Sequence, residues 1–304
     1  MESWKRQPRL FSLLISPAII WLTLFFIIPL GFMVGLSLSV QPDATHTVFT
    51  GTLESYYGIL DRNPDTGDYI YIGVILKSLM IAAIVTFFCL ALGYPVALAI
   101  AFAPAKWRPI LLLLVILPFW TNLLIRTYAL MSVFRVNGFF NNILAWVWNH
   151  SRFMLLGTYQ PFDLLYTNTA VIVGLVYIHL PFMVLPLYTA VEKLDRSYLE
   201  ASLDLGAGHW RTFFKVMVPL TLPAIMAGGI ITFIPAFGAL VTPDLLGGVN
   251  SQMIGNIIER QFKAANNWPF GAALSLILVY ITFILLALQS WMASRRAKLD
   301  DIRR

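Results

Sequence analysis

The sequence predicts an all-α, polytopic membrane protein with six transmembrane helices, and three observations lead there. Only 12% of the 304 residues are charged, about half the share found in ordinary soluble domains. Those charges leave six long gaps. Lys and Arg are also spread unevenly over the segments that join the gaps.

A helix needs about 20 apolar residues, or about 17 at the short end, to cross a hydrocarbon core about 30 Å thick. The first gap, Leu10 to Pro42, predicts a span over 11–38. Lys5 and Arg6 precede it as in a secretory signal, but the run far exceeds the about 7–15 residues of a signal core and no small-residue cleavage site closes it. It is expected to stay as an anchor. Ser78 to Ala105 predicts a span over 72–103. Cys89 lies inside it, a lone cysteine that can form no intramolecular disulfide and reads as small apolar filler.

The third gap, Pro109 to Ile125, is short and ends on Arg126, with a further apolar run to Phe134. One helix over 109–134, passing the arginine, is predicted. An ionisable group at this depth either snorkels to the outer surface, pairs with a loop acid, or serves a gate. The remaining gaps predict spans over 168–191, 217–242 and 268–293, so residues 1–304 read as a single transmembrane domain.

Orientation follows from the basic residues. With the N-terminus inside, the outer segments hold Arg62, Lys77, Arg126, Arg135, Arg152, Arg260 and Lys263, and the other fourteen of the 21, from Lys5 and Arg6 to Arg303 and Arg304, lie inside. Cytoplasmic loops carry the excess of Lys and Arg, so both termini are expected in the cytoplasm. The net charge of +6 then reflects orientation, and no nucleic-acid partner is indicated.

The outer segments 41–70, 135–163 and 244–267 are too short for independent cores. The middle one contains FFNNILAWVWNHSRFMLL, whose aromatics at 139, 140, 146 and 148 predict a helix at headgroup level, with a re-entrant segment as the alternative. Asp244 and Glu259 stand at the outer mouth, where they draw cations or simply face water.

Inside, 195–217 predicts a helical hairpin. Ser197 with Glu200 three residues on fits a capping box, hydroxyl to amide in one direction and carboxylate to amide in the other. Leu199, Ser202 and Leu203 then share a face, and Gly206 supplies the left-handed conformation that ends a helix. From His209 a second piece places Trp210, Phe213, Phe214 and Met217 on one side, with Arg211 and Lys215 on another. Such a hairpin lies on lipid or docks in a groove of a soluble partner.

These residues carry a resemblance. Glu200-Ala201-Ser202, three residues, Gly206, nine residues, and Val216-Met217-Val218-Pro219 resemble the EAA motif of inner-membrane permease subunits of binding-protein-dependent ABC importers. Ser202 replaces the usual second alanine, and Val216 and Val218 replace isoleucine and leucine. The resemblance implies a MetI-like permease architecture in the bacterial inner membrane and a coupling helix that docks on an ATPase subunit. Glu200, Ala201, Ser202, Leu203, Gly206, Trp210 and Phe213 would shape that contact. LPFWTNLLIRTYAL from Leu117, NGFFN from Asn137, TPDLLGG from Thr242, MIGNII from Met253 and NWPFGAALS from Asn267 further resemble permeases of spermidine/putrescine importers. Relatives in that branch often carry a glutamate where this chain has Ala239. A different solute, such as iron or an inorganic anion, fits the same architecture.

The resemblance also implies partners: a second homologous permease, two ATPase subunits and an extracytoplasmic solute-binding protein. No Gly-x-x-x-x-Gly-Lys-Ser/Thr occurs, so ATP and Mg are expected on the ATPases, with no cofactor, metal or catalytic residue on this chain. The histidines at 46, 150, 179 and 209 are scattered, and His179 reads first as a buried structural group. An ion-coupled secondary transporter would need a midplane carboxylate, which the spans lack.

Helix breaks at membrane depth are tolerated where neighbours or a wet cavity satisfy the backbone. The fifth span has the most prolines and glycines, so Pro235, Phe237 and Gly238 are expected to line a path or gate, or else to pack against a neighbouring helix. Trp120, Asn122 and Tyr128 from the third span and Asp244 join them as candidates.

Overall fold

A computed structural model describes residues 8–302 apart from 44–45, 63, 65–66 and 151–158. Lys5, Arg6, Arg152, Arg303, Arg304 and the end of the predicted headgroup helix lie outside the described residues. Along the chain run α1 (Phe11–Ser37), β1 (Ser39–Asp43), β2 (His46–Phe49), α2 (Ile70–Phe102), α3 (Arg108–Ile116) and α4 (Leu123–Phe134). There follow α5 (Phe139–His150), α6 (Asn168–Glu192), α7 (Ser197–Asp204), α8 (His209–Phe237), α9 (Val241–Gly247), α10 (Ile254–Lys263) and α11 (Trp268–Ile302).

Among the described residues five helices are long and apolar enough to cross a membrane, six when the bent pair is counted as one span. The first, second and fourth spans fall close to their predicted bounds. The third does not run straight through 109–134: Arg108–Trp120 and Leu123–His150 meet at 93°. Pro118 starts a tight turn over Leu117–Trp120, Thr121 is extended, and the Asn122 side chain restarts the helix by accepting from the Leu124 amide at 2.8 Å. The fifth span is shifted from 217–242 to His209–Phe237. Its apolar run holds two elements, because a break filled by Gly238, Ala239 and Leu240 needs no charge to mark it. The last helix continues past 293 to Ile302, since a run of charged side chains ends an apolar stretch without ending a helix.

The chain is mostly helical but not wholly so. β1 and β2 pair antiparallel, with Val40 opposite Val48 and Ser39 opposite Phe49. Branched and aromatic residues suit such a ladder, and a five-residue strand was hidden beside the long apolar run that precedes it.

Contacts divide the chain into two compact units, Met1–Gly73 with Ile258–Ile281, and Val74–Ile257 with Thr282–Arg304. In the first, Gln41 ties the hairpin to the start of α11, its Nε2 donating to the Asn266 carbonyl at 2.7 Å and its Oε1 accepting from the Trp268 amide at 3.1 Å. Tyr71 and Phe270 meet edge to face at 4.8 Å.

In the second unit α6 packs along α8. A methyl added at Gly228 would sit 3.0 Å from Met183 Sδ, and one at Gly93 3.2 Å from Met183 Cγ. Met183 thus fills the space that two glycines leave, a close approach typical of helices in lipid. The Tyr94 and Thr221 hydroxyls bond at 2.7 Å in the same interior. Gly174 on α6 is where α9 and α4 come in, with Leu246 Cδ1 2.6 Å and Leu130 Cδ1 3.8 Å from its would-be Cβ.

The break after Phe237 is closed by the segment at the start of α10. Asn256, buried, donates from Nδ2 to the Leu240 carbonyl at 2.9 Å and accepts from the Met253 amide at 3.1 Å. Ser78 Oγ accepts from the Ile254 amide at 2.8 Å. A methyl at Gly255 would stand 2.8 Å from the Ala239 carbonyl oxygen and 2.9 Å from that of Gly238. Since backbone cannot swing aside as a side chain does, Gly255→Ala is expected to destabilise this unit by about 1–3 kcal/mol. A lowered thermal midpoint of the detergent-purified protein is the measurement, and an unchanged one would count against this packing.

Candidate functional site

The hairpin over 195–217 is built as a capped helix, a glycine turn and a second helix. Its first cap differs from the predicted box. The Ser197 amide bonds to Asp195 Oδ1 at 3.0 Å, and no side-chain cap bond forms at the Arg196 helix start. Asp195 reaches the orphan amide from outside the helix, so Ser197 falls within the first turn and the reciprocal Ser197–Glu200 bonds do not form. The Ser197 backbone and side chain hold the Asp195 carboxyl below the usual carboxylate range.

Its end matches expectation. The Gly206 amide bonds to the Leu203 carbonyl at 2.9 Å and the Ala207 amide to the Ser202 carbonyl at 3.1 Å, with Gly206 at φ +82°. That is a Schellman closure, with glycine in the left-handed position. Ser202 Oγ and Thr212 Oγ1, 3.0 Å apart, then clasp the two helices.

The aromatics divide between two sides instead of sharing one. Met217 is buried and Phe213 half-buried, its ring edge-on to Tyr94 at 5.1 Å. Trp210 and Phe214 face out, 77% and 61% exposed and stacked on each other at 6.2 Å. The cause is a five-residue π-turn, Phe213–Met217, which shifts the phase of the helix. Phe213 is therefore an anchor of the hairpin. The outward apolar surface comes from Leu205, Trp210 and Phe214, with Tyr198 and Leu203 also exposed. Glu200 and Ala201 are exposed beside them.

Two cationic contacts brace the hairpin base. Arg108 Nη1 meets Glu192 Oε1 at 3.3 Å while Arg108 Nε donates to the Ala103 carbonyl, and Arg196 lies over the Phe102 ring at 5.4 Å. Sequence reasoning missed them. A basic residue in a short inner loop reads as an orientation mark and gives no partner.

The candidate path residues lie on three elements. Trp120 and Tyr128 are exposed about the third-span break, and Asn122 is exposed but spends its side chain on the helix cap. Pro235 and Gly238 are exposed at the end of α8, whereas Phe237 is 1% exposed and belongs to the chain's own interior. Its position follows the helix phase, which points it away from Gly238. Asp244 is exposed in the first turn of α9, the element that packs on α4 and α6. Glu259 is held by Lys263 at 2.6 Å. His179 is buried with Nδ1 2.8 Å from the Leu175 carbonyl, the structural role expected of it.

Among the described residues Arg126 pairs with no acid. It is buried, Nη2 donates to the Thr121 carbonyl at 2.8 Å, and its guanidinium lies 5.3 Å from the Phe119 ring centre. The span break explains this, because it frees a carbonyl within reach. Among the described residues no group of three or more metal-ligating side chains occurs.

Residues 91–298 match the family model of the binding-protein-dependent transport system inner membrane component. The chain is 42% identical over 285 residues, 93% of each chain, to the spermidine/putrescine transport system permease protein PotB of Salmonella typhimurium (strain SL1344). Its fold is similar to that in the crystal structure of a bacterial ABC transporter involved in the import of the acidic polysaccharide alginate, with TM-score 0.71, 16% identity, and 97% of this chain and 99% of that one covered. An inward-facing structure of the MetNI methionine ABC transporter gives TM-score 0.53 at 18% identity, covering 74% of this chain and 94% of that one.

A methyl at Gly206 would meet nothing within 4 Å, so replacement there acts through backbone conformation alone. Gly206→Val is expected to open the hairpin at a cost of about 1–2 kcal/mol, which speeds protease cleavage within 195–217 about 5–30-fold. Gly206→Asn tolerates the left-handed region and should stay near the parent. Equal cleavage of all three would refute the Schellman role.

Proposed function

The chain belongs to the inner-membrane components of binding-protein-dependent transport systems, and from that premise we propose that it is a permease subunit of an ATP-driven polyamine importer. Spermidine and putrescine are the favoured cargo. Support for the cargo comes from the relatives, whose name carries those solutes at 42% identity over nearly the whole chain. A second, homologous permease completes the path. A binding protein delivers solute outside, and two ATPases, which hold ATP and Mg, act at the inner face. The chain itself is non-catalytic, multi-pass in a bacterial inner membrane, with both termini in the cytoplasm.

The observation that carries the coupling role is the closed hairpin with Leu205 89% and Trp210 77% exposed. Large apolar side chains held outward on a polar, glycine-braced turn suit a groove on a soluble subunit. The hairpin's second helix and the fifth span are one helix of 29 residues, His209–Phe237. Such a rod is about 43 Å long, so a push on Trp210 is delivered at Pro235 without a hinge loop between. Closure of the ATPases on ATP would thereby reorient the break at Gly238–Leu240, and alternating access follows. Each ligand then biases one global equilibrium through one docked element.

Trp210→Ala should lower the ATPase recovered with the affinity-purified complex about tenfold or more, in line with about 2 kcal/mol for an aromatic anchor. Undiminished recovery together with normal ATP-driven uptake would remove the docking role. Labelled spermidine or putrescine should enter proteoliposomes only with ATP inside and binding protein outside. Uptake of iron or an inorganic anion in their place would reassign the cargo, and uptake by this chain alone on an ion gradient would remove the importer reading. Asp244→Asn should slow polyamine entry, while Glu259→Gln, already paired with Lys263, should change it less; equal effects would refute this division.

A further inference from the structure

We propose that the cleft between the β hairpin and the start of α11 binds a linear organic polyamine through its ammonium groups. All of its lining residues belong to the first unit, Met1–Gly73 with Ile258–Ile281. Its volume is about 550 Å³, within the range of about 300–1,000 Å³ of small-molecule sites. That the bound amine is the transported solute rests on the cargo proposed above.

The walls are fixed from within. Gln41 is spent on the Asn266 carbonyl and the Trp268 amide, so hairpin and helix start are tied together. Ser39 Oγ donates to the Gly35 carbonyl at 2.9 Å, and Asn267 Oδ1 accepts from the Phe270 amide at 3.2 Å. Tyr71 and Phe270 hold each other edge to face, with Phe270 buried. A cleft whose walls are already bonded costs a ligand little ordering.

Charge selects the sign of the ligand. Asp43, Glu54 and Asp61 line the cleft, and no Lys, Arg or His among the described residues does. The nearby bases are engaged elsewhere. Arg62, next to Asp61, sends Nη2 to the Tyr69 hydroxyl at 2.7 Å and lies over that ring at 4.6 Å. Lys263 pairs with Glu259, and His46, opposite Asp43 in the β ladder, stays outside the lining. Three carboxylates therefore border one cleft, and none of them forms an ion pair among the described residues. An anion is repelled by such a lining.

Spacing separates an amine from a metal ion. Calcium draws its oxygens to about 2.3–2.6 Å, so its carboxylates must converge. Among the described residues no three His, Cys, Asp or Glu side chains come together to hold a metal. Asp43 ends β1, Glu54 begins the short helix Glu54–Tyr57, and Asp61 lies beyond that helix. Carboxylates spread along a cleft match a ligand whose charges are strung on a chain. Tyr71 and Phe270 supply an apolar, aromatic wall that suits both the methylenes between ammonium groups and the ammonium groups themselves.

The test measures equilibrium binding of labelled spermidine to the full chain in lipid nanodiscs. Asp43→Asn, Glu54→Gln and Asp61→Asn are each expected to weaken it about 2–5-fold, and the triple variant about tenfold or more. Asp163→Asn, at an exposed acid of the other unit, should leave it at the parent value. Ala265 is exposed and lines the cleft. Ala265→Trp fills the space and removes no charge, so it should weaken binding as the triple variant does, which a general attraction of cations to an acidic surface would not produce. In the complete importer the triple variant should raise the spermidine concentration at half-maximal uptake several-fold. Parent affinity in either the triple variant or Ala265→Trp would overturn the site. So would calcium bound in place of spermidine and lost in the triple variant, which would make the cleft a metal site. Loss of the binding protein from the purified complex with spermidine binding intact would make it a protein contact and also overturn the proposal. Spermidine bound at the cleft of a chain whose importer takes up no polyamine would instead overturn the cargo reading, whereas polyamine uptake with no binding at the cleft would overturn this site alone.

Discussion

Two backbone breaks at membrane depth govern much of this protein, because hydrocarbon offers no water to a freed carbonyl or amide. At the third-span break the Thr121 carbonyl is met by Arg126, and Asn122 caps the restarted helix. At the fifth-span break Asn256 meets the Leu240 carbonyl, while Ser78 receives the Ile254 amide from the segment that closes over it. Arg126, Asn122, Asn256 and Ser78 thus each meet a backbone group at one of the breaks. The glycines that flank the breaks, above all Gly255, let the satisfying segment come close enough to reach.

Between those fixed breaks the helices are joined by small residues and one flexible filler. Met183 occupies the space opposite Gly93 and Gly228, where an unbranched thioether adapts to an irregular gap. The Tyr94 to Thr221 bond crosses the same contact, and Phe213 meets the Tyr94 ring edge to face. One line of packing therefore leads from the 195–217 hairpin into the interior of its unit. The exposed tip of the hairpin is backed by a continuous helix on one side and by a braced base, Arg108 with Glu192, on the other.

How much of this was legible depended on whether a residue's meaning is local. Six spans could be read from charge-free runs, and Gly206 from the need for a left-handed residue after a helix. The hairpin cap was misread because Ser197–Glu200 and Asp195–Ser197 are both sound capping arrangements, and the sequence does not say which wins. Proline was a poor guide to breaks. Pro95, Pro181 and Pro186 lie inside unbroken helices, while Pro118 sits at a right-angle bend. What decides is the partner available to the freed carbonyl, and such partners are remote or chemically ambiguous in sequence. Phe237 failed as a path residue for a related reason: composition marks the breaking region, but only helix phase tells which side chain turns inward.

The π-turn at Phe213–Met217 sets that phase for everything beyond it. A π-turn holds one residue more than the α-helical turn it replaces, and each residue of an α-helix advances the azimuth by about 100°. The extra residue leaves Trp210 and Phe214 exposed on the hairpin while the helix beyond keeps Thr221, Gly228 and Thr232 against its neighbours. The exposed face of the hairpin and the buried face of the helix beyond it are in this way set at different angles on one continuous helix. Replacing that one π-turn by an α-helical turn would therefore swing the exposed aromatics about the helix axis while the faces beyond Met217 stay where they are.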